Sequence, residues 1–138
     1  MLRRSAHSVH EIVFHFTFIP KYRKRRLVGR VKKRIEGMIR FSAQLNEWEV
    51  MELSIQPDHI HIVMRVNGTD SAASVMKTIK GGTSKKIREI YPDLVESIWS
   101  RNFWGRGYYA GSVGRVDLAK VRQYVQEQNK VKQETADS

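Results

Sequence analysis

His59 to Val66 reads His-Ile-His-Ile-Val-Met-Arg-Val, with apolar and β-branched residues at alternate positions. A period of two belongs to an extended strand, whose side chains point to opposite faces in turn. Ile60, Ile62, Met64 and Val66 therefore share one face, and His59, His61, Val63 and Arg65 share the other. Gln56-Pro57-Asp58 before it is a turn, because proline fixes its own φ and aspartate bonds back to nearby backbone. Upstream, Trp48 to Ile55 reads as another strand, with Met51, Leu53 and Ile55 on one face, so the two predict an antiparallel hairpin. A hairpin with one apolar face has to be covered by other elements, and that requirement organises the chain around it.

The covering elements are legible on either side. Glu11 to Phe18 is a strand placing Ile12, Phe14, Phe16 and Phe18 on one face and Val13, His15 and Thr17 on the other, and Pro20 stops it. His15 is expected on the sheet surface opposite the phenylalanines, in a structural or DNA-contacting role rather than a catalytic one. Val28 to Asn46 has helical spacing, with Val31, Ile35, Met38, Ile39, Ser42 and Leu45 as the inward stripe and Asn46 as C-cap. Asp70 or Ser71 begins a helix through Val75 and Ile79 towards Ile87. Gly81 and Gly82 fall inside it, and mark either a break or a close approach of the backbone to another chain. Pro92 to Arg101 reads as a short helix or turn carrying Trp99. The glycine-and-aromatic run from Phe103 to Gly114 reads as a loop leading to an edge strand around Tyr108 to Val113. A last helix spans Asp117 to Lys130, capped by Asp117, with Leu118, Val121 and Val125 buried. Residues 1–8 read as a poorly ordered arm, and residues 131–138 as a frayed polar end. The sum is an α+β chain: an antiparallel β-sheet packed with α-helices, one domain over residues 1–138 with an ordered core from about 10 to 130.

Charge defines the class of partner. A formal net charge of +11 and a sequence pI near 10.2 point to a polyanion, most often a nucleic acid, held through release of condensed counterions. The excess alone does not separate DNA from RNA. From Lys21 to Arg34 there are nine basic residues and no acidic one. Lys21, Tyr22, Arg23, Lys24, Arg25 and Arg26 follow directly on a strand end and include an aromatic, so they are assigned to gripping phosphates. Lys80, Lys85, Lys86 and Arg106 are further candidates for the nucleic-acid backbone. The segment around Lys80 lacks the spacing and the preceding strand of a phosphate-binding P-loop. Aromatics next to arginines in the 103–109 run either stack on unpaired bases or belong to the core. The chain has no cysteine, no apolar run of membrane-span length and no signal-peptide core near its first residue, which leads to the expectation of a cytoplasmic protein without membrane attachment.

Two places carry chemistry. His59 and His61 project side by side from the start of a strand, and two neutral imidazoles so placed can reach one cation. Taken alone, a His-x-His pattern is commonly two surface histidines. Tyr124 and Gln128, four apart, lie one above the other on the last helix. A lone helical tyrosine is commonly packing, but Gln123, Gln126, Glu127 and Gln128 surround this one with polar groups. The 14 acidic residues form no cluster on the expected strands, which speaks against a two-metal nuclease built on carboxylates.

Pro57-Asp58-His59-Ile60-His61 in a strand, Pro20-Lys21-Tyr22-Arg23 after the first strand, the Lys80-Gly81 region, Tyr108-Tyr109-Ala110-Gly111-Ser112-Val113-Gly114, and Tyr124 with Gln128 occur in one order. This ordered set resembles the single-tyrosine HUH (His-hydrophobe-His) transposases of small bacterial and archaeal insertion sequences, over nearly the whole chain. The resemblance implies an HUH, ferredoxin-like fold whose C-terminal helix carries the nucleophile. It implies that His59, His61 and Gln128 bind one Mg²⁺ or Mn²⁺ and that Tyr124 attacks the scissile phosphate. The protein would then be a transposase that cuts and rejoins single-stranded DNA at hairpin-bearing ends through a 5′-phosphotyrosine, acting as a homodimer. Two other readings remain at this point. One is a domesticated relative that binds or processes chromosomal repeat hairpins. The other is a non-catalytic nucleic-acid-binding protein in which His-x-His is incidental. Relaxases and rolling-circle initiators share the histidine pair but fit less well with so short a chain and a single late tyrosine.

Overall fold

The computed structural model describes residues 3–4, 9–10, 12–93 and 102–137. Trp99 and most of the expected 92–101 turn lie outside them. β1 (Arg3–Arg4) and β2 (Val9–His10) pair antiparallel, where the sequence suggested a disordered arm.

Four strands form the main sheet: β3 (Ile12–Phe18), β4 (Glu49–Gln56), β5 (His59–Val66) and β6 (Tyr109–Ser112), in the order β4-β5-β3-β6 and antiparallel throughout. The hairpin β4–β5 is as the alternation and the short turn predict, and the edge position of β6 is as the glycine-and-aromatic run predicts. The helices are α1 (Gly29–Leu45), α2 (Ala72–Ile90) and α3 (Leu118–Asp137). Phe16, Phe18, Ile60, Ile62, Met64 and Val66 are closed off on one sheet face with Ile35, Ile39, Val75, Met76, Ile79 and Ile87 from α1 and α2. The opposite face holds a small second cluster, Val13, Val63 and Val125, on which Leu118 and Val121 of α3 pack. The candidate side chains His59, His61 and Tyr124 lie on the side of this smaller cluster. No helix among the described residues is long and apolar enough to cross a membrane.

Four local expectations are corrected. Met51 does not share the face of Leu53 and Ile55: a β-bulge between Val50 and Glu52 inserts one extra residue. Met51 therefore joins the α3 side, and Val50 takes a place in the main core. Leu45, expected in the inward stripe of α1, is 67% exposed because the stripe ends on Ala43 and the chain turns at Asn46 to reach Trp48. Gly81 and Gly82 do not break α2. A Ser71–Ser74 capping box starts the helix, and Val75, Met76, Ile79, Thr83 and Ile87 bury one stripe, whose packing outweighs about 1 kcal/mol per glycine. α3 runs on to Asp137 instead of fraying after Lys130, since Gln, Glu, Lys and Ala are good helix formers.

The main core predicts its own test. Phe16 is fully buried between both helices and the neighbouring strands, so Phe16→Ala is expected to cost about 3–5 kcal/mol in urea unfolding. A loss under about 1 kcal/mol would mean that this sheet face is not closely packed.

Candidate nucleic-acid processing site

The site grows from the register of three strands. Thr17 pairs with His61 across β3–β5 and with Tyr109 across β3–β6, while His15 pairs with Val63 and Gly111. These side chains, together with His59, share the face that α3 covers. His61 is buried at 8% exposure; its Nδ1 lies 3.0 Å from Thr17 Oγ1 and 3.2 Å from His15 Nε2. His59 donates from Nδ1 to Asp58 Oδ1 at 2.7 Å, and Asp58 accepts in turn from Arg23 Nε at 3.1 Å. Both imidazoles thus have Nδ1 engaged, which leaves Nε2 of each, without a hydrogen-bond partner among the described residues, as the atom that could coordinate a cation. Their ring centres are 5.1 Å apart.

Electrostatics favours neutral imidazole. Burial, and then the neighbouring His59 and His15, push His61 down to about 4. Burial likewise lowers His15. Asp58 is pushed up by its partial burial, yet the hydrogen bonds from His59 and Arg23 outweigh this and hold its carboxyl below the ordinary value. A metal ligand must be unprotonated, and His61 meets that condition through the whole physiological range.

The lowered value carries a pH prediction for the metal-free protein. An unfolded His61 takes a proton near its ordinary value of 6.5, whereas the folded one resists until about 4. Protons therefore favour the unfolded chain in that window, and stability should fall as pH drops from 6.5 towards 4. Thermal melts in chelator at pH 7.5 and 5 should show a larger drop for wild type than for His61→Gln; equal drops would remove His61 as the cause.

α3 brings the tyrosine to this cluster. The Tyr124 ring stands edge-on to His61, with centres 5.8 Å apart and planes at 85°, and is 49% exposed. The helix is seated by polar contacts with β4. Glu52 Oε1 accepts from Arg122 Nε at 3.0 Å and Gln126 Nε2 at 2.7 Å, and Asn129 accepts from Gln56 Nε2 at 3.2 Å. Gln56 is the register partner of His59, so α3 carries Gln128, half-buried and one turn after Tyr124, to the histidine end of the sheet. Gln126 is tied to Glu52, and Glu127 accepts from Gln123 at 3.2 Å, whereas Gln128 has no such tie among the described residues.

Tyr109 closes the other side, its ring 5.7 Å from His15 at 73°. A Cβ on Gly111 would lie 2.5 Å from the Tyr109 hydroxyl, so only glycine there lets this ring lie along β6.

The basic residues divide into two groups. Lys21–Arg23 forms a 3₁₀ turn in which Tyr22 and Arg23 both hold positive φ, 59° and 51°, and Tyr22, Arg23, Lys24 and Arg25 are exposed. The turn is stitched to the loop before β6 by Lys21 N–H donating to Phe103 O at 2.9 Å. Lys85, Lys86 and Arg106 are exposed, and Lys86 pairs with Glu89 at 3.6 Å. Lys80 has a task that the sequence did not foretell: its ammonium donates to Gly105 O at 2.9 Å and Gly107 O at 2.8 Å, holding that loop. Sequence reasoning placed His15 and Thr17 on this face, with a structural or DNA-contacting role for His15, but missed Thr17, Glu52 and Asn129 as members of the site. Of these three only Thr17 had a visible signal, a polar residue alternating with phenylalanines.

A histidine pair with both Nδ1 atoms engaged thus has a tyrosine against it, and Arg23 of the basic turn is tied to it through Asp58. The chain belongs to the IS200-like transposase family, whose pattern it matches over residues 8–128. It is 26% identical to the ISDra2 transposase TnpA of Deinococcus radiodurans over 93% of this chain and 91% of that one. It is 30% identical to the transposase for insertion sequence element IS200 of Salmonella typhimurium over 89% of this chain and 80% of that one. A crystal structure from Deinococcus radiodurans, described as a transposase, superposes with a TM-score of 0.75 at 24% identity, over 92% of this chain and 98% of that one. The REP-associated tyrosine transposase bound to a REP hairpin superposes at 0.63 with 15% identity, over 91% of this chain and 70% of that one. The α+β fold, an antiparallel four-stranded sheet with, among the described residues, helices α1, α2 and α3 packed on it, is the fold of these transposases.

Proposed function

We propose that this transposase cuts and rejoins single-stranded DNA at hairpin-bearing ends, with Tyr124 as nucleophile and His59, His61 and Gln128 as ligands of one Mg²⁺ or Mn²⁺. The observation that carries the reading is the Tyr124 ring standing on His61, beside His59. The donor set fits such an ion: two imidazoles held through Nδ1, one of them kept neutral by burial, and an amide oxygen one helical turn beyond the tyrosine. When bound, the cation supplies Lewis-acid charge that offsets charge building up on the scissile phosphate.

The chain's own residues do the rest. The hydroxyl of the half-exposed Tyr124 loses its proton to solvent and attacks phosphorus. The phosphorus–O3′ bond breaks, the departing oxygen takes up a proton as a free 3′-hydroxyl, and the phosphate stays on Tyr124 at the DNA 5′ side. One ester replaces another, so rejoining by the reverse attack needs no nucleotide cofactor. Glu52, Gln56 and Asn129 hold α3 in register so that the tyrosine meets the histidine face. Arg23 steadies Asp58 and through it His59, while Tyr22, Lys24, Arg25 and Arg26 grip the strand along the rim. A hairpin as the recognised feature is supported by the likeness to the transposase that holds a REP hairpin. Homodimerisation belongs to the same proposal.

The test is covalent capture. Labelled hairpin DNA with an unpaired flank is incubated with the protein and Mg²⁺ or Mn²⁺ and run on a denaturing gel. A cation-dependent protein–DNA band is expected. Hairpin binding that ignores chelator and yields no band with any end tested would replace this reading by a non-catalytic hairpin binder.

A further inference from the structure

The two glycines inside α2 remain unexplained by packing. The helix is continuous through them, so they are not a break, and a Cβ at either would meet nothing within 4 Å among the described residues. Glycine in a helix interior is nevertheless destabilising relative to alanine. Gly81, unlike Gly82, forms part of the wall of an open cleft of about 310 Å³ shared with Lys80, Ser84, Arg88, Trp104 and Arg106. The size suits a small ligand, and exposed arginines on two different elements supply cationic charge. The loop that forms the other wall is built rather than loose. Lys80 bonds to Gly105 O and Gly107 O, Trp104 donates to Thr83 Oγ1 at 2.8 Å, and Gly105 N–H donates to Ile19 O at 2.9 Å. The same loop runs directly into β6, whose Tyr109 lies against His15, and Pro20 beside it leads into the Lys21–Arg23 turn.

We infer that this cleft is a binding site for one nucleotide of the unpaired DNA strand, its phosphate against Arg88 and Arg106 and its base over the bare backbone of Gly81. The inference rests on the proposed handling of single-stranded DNA. It assigns the strand's path: from the cleft, past the basic turn, to the histidine face, all at the end of the sheet where Phe18 pairs with Ile60. Lys80 is then a positioning residue that shapes the cleft wall. Gly81 is retained because a side chain would fill the space that the base occupies.

The experiment is a binding titration in chelator, so that it reads the cleft whether or not the protein cuts DNA. Fluorescence anisotropy would compare a hairpin carrying an unpaired flank with the same hairpin blunt-ended, and thermal melts would run alongside. Gly81→Ala is expected to raise Tm, as removing a helix glycine should, while weakening binding of the flanked hairpin about ten-fold. Gly82→Ala should raise Tm and leave binding unchanged. The double variant Arg88→Ala with Arg106→Ala should lower the salt slope for the flanked hairpin by about 0.7, the value for one single-strand phosphate contact. Unchanged binding by Gly81→Ala, or equal weakening for the blunt hairpin, would overturn the inference. A failed covalent-capture assay with these signatures intact would remove the chemistry and leave the cleft.

Discussion

Tyr124→Phe is expected to abolish the covalent protein–DNA band, at least about 10⁴-fold below wild type, while hairpin binding and Tm stay near the wild-type values. Phenylalanine keeps the ring that stands on His61 and loses only the hydroxyl of a residue that is 49% exposed, which should cost the fold little. The substitution thus separates chemistry from architecture. Lost binding or a collapsed Tm would instead mark Tyr124 as a packing residue. A surviving band would move the nucleophile elsewhere, and the mass of the DNA-linked peptide would then locate it. Within this chain Tyr124 lies against its own His61, so mixing Tyr124→Phe with His61→Ala protomers should restore the band only if α3 exchanges between subunits.

His61→Ala is the second large effect. It removes the central imidazole, which touches His15, Thr17, His59 and Tyr124. If it is a ligand, its loss forfeits several kcal/mol of transition-state stabilisation, roughly 10³-fold in rate, and raises the Mg²⁺ or Mn²⁺ concentration needed for half-maximal capture. Asp58→Ala, which frees Nδ1 of His59 and unpairs Arg23, should weaken the cation about 10- to 100-fold with a smaller effect at saturating cation. That graded pattern distinguishes a ligand from the residue that orients one. If His61→Ala and wild type required the same cation concentration, His61 would not be a ligand and the imidazole cluster would be structural.

Much of this molecule is written locally. The faces of β3 and β5 follow from alternation, because the pleat is fixed within a few residues. Ile35 and Ile39 of the α1 stripe and the Leu118, Val121 and Val125 seam follow from helical spacing for the same reason. The motif residues His59, His61 and Tyr124 could be singled out beforehand because their types and order carry the family likeness.

What the tertiary structure alone decided is pairing across distance. Thr17 and His61 are 44 residues apart, His15 and His61 are 46 apart, and Gln126 and Glu52 are 74 apart. Each contact depends on strand register, and register is set by a whole face finding its core, not by any local pattern. Met51 shows how fine this dependence is, since one bulge moved it to the opposite face from its predicted partners. Gly81 shows the converse: composition allowed a helix break or a close backbone approach, and burial of the stripe around Thr83 kept the helix whole. The sequence by itself determined which groups are available for phosphodiester chemistry. Only the fold, by closing the β5–β3–β6 register under α3, decided that a tyrosine and three histidines meet.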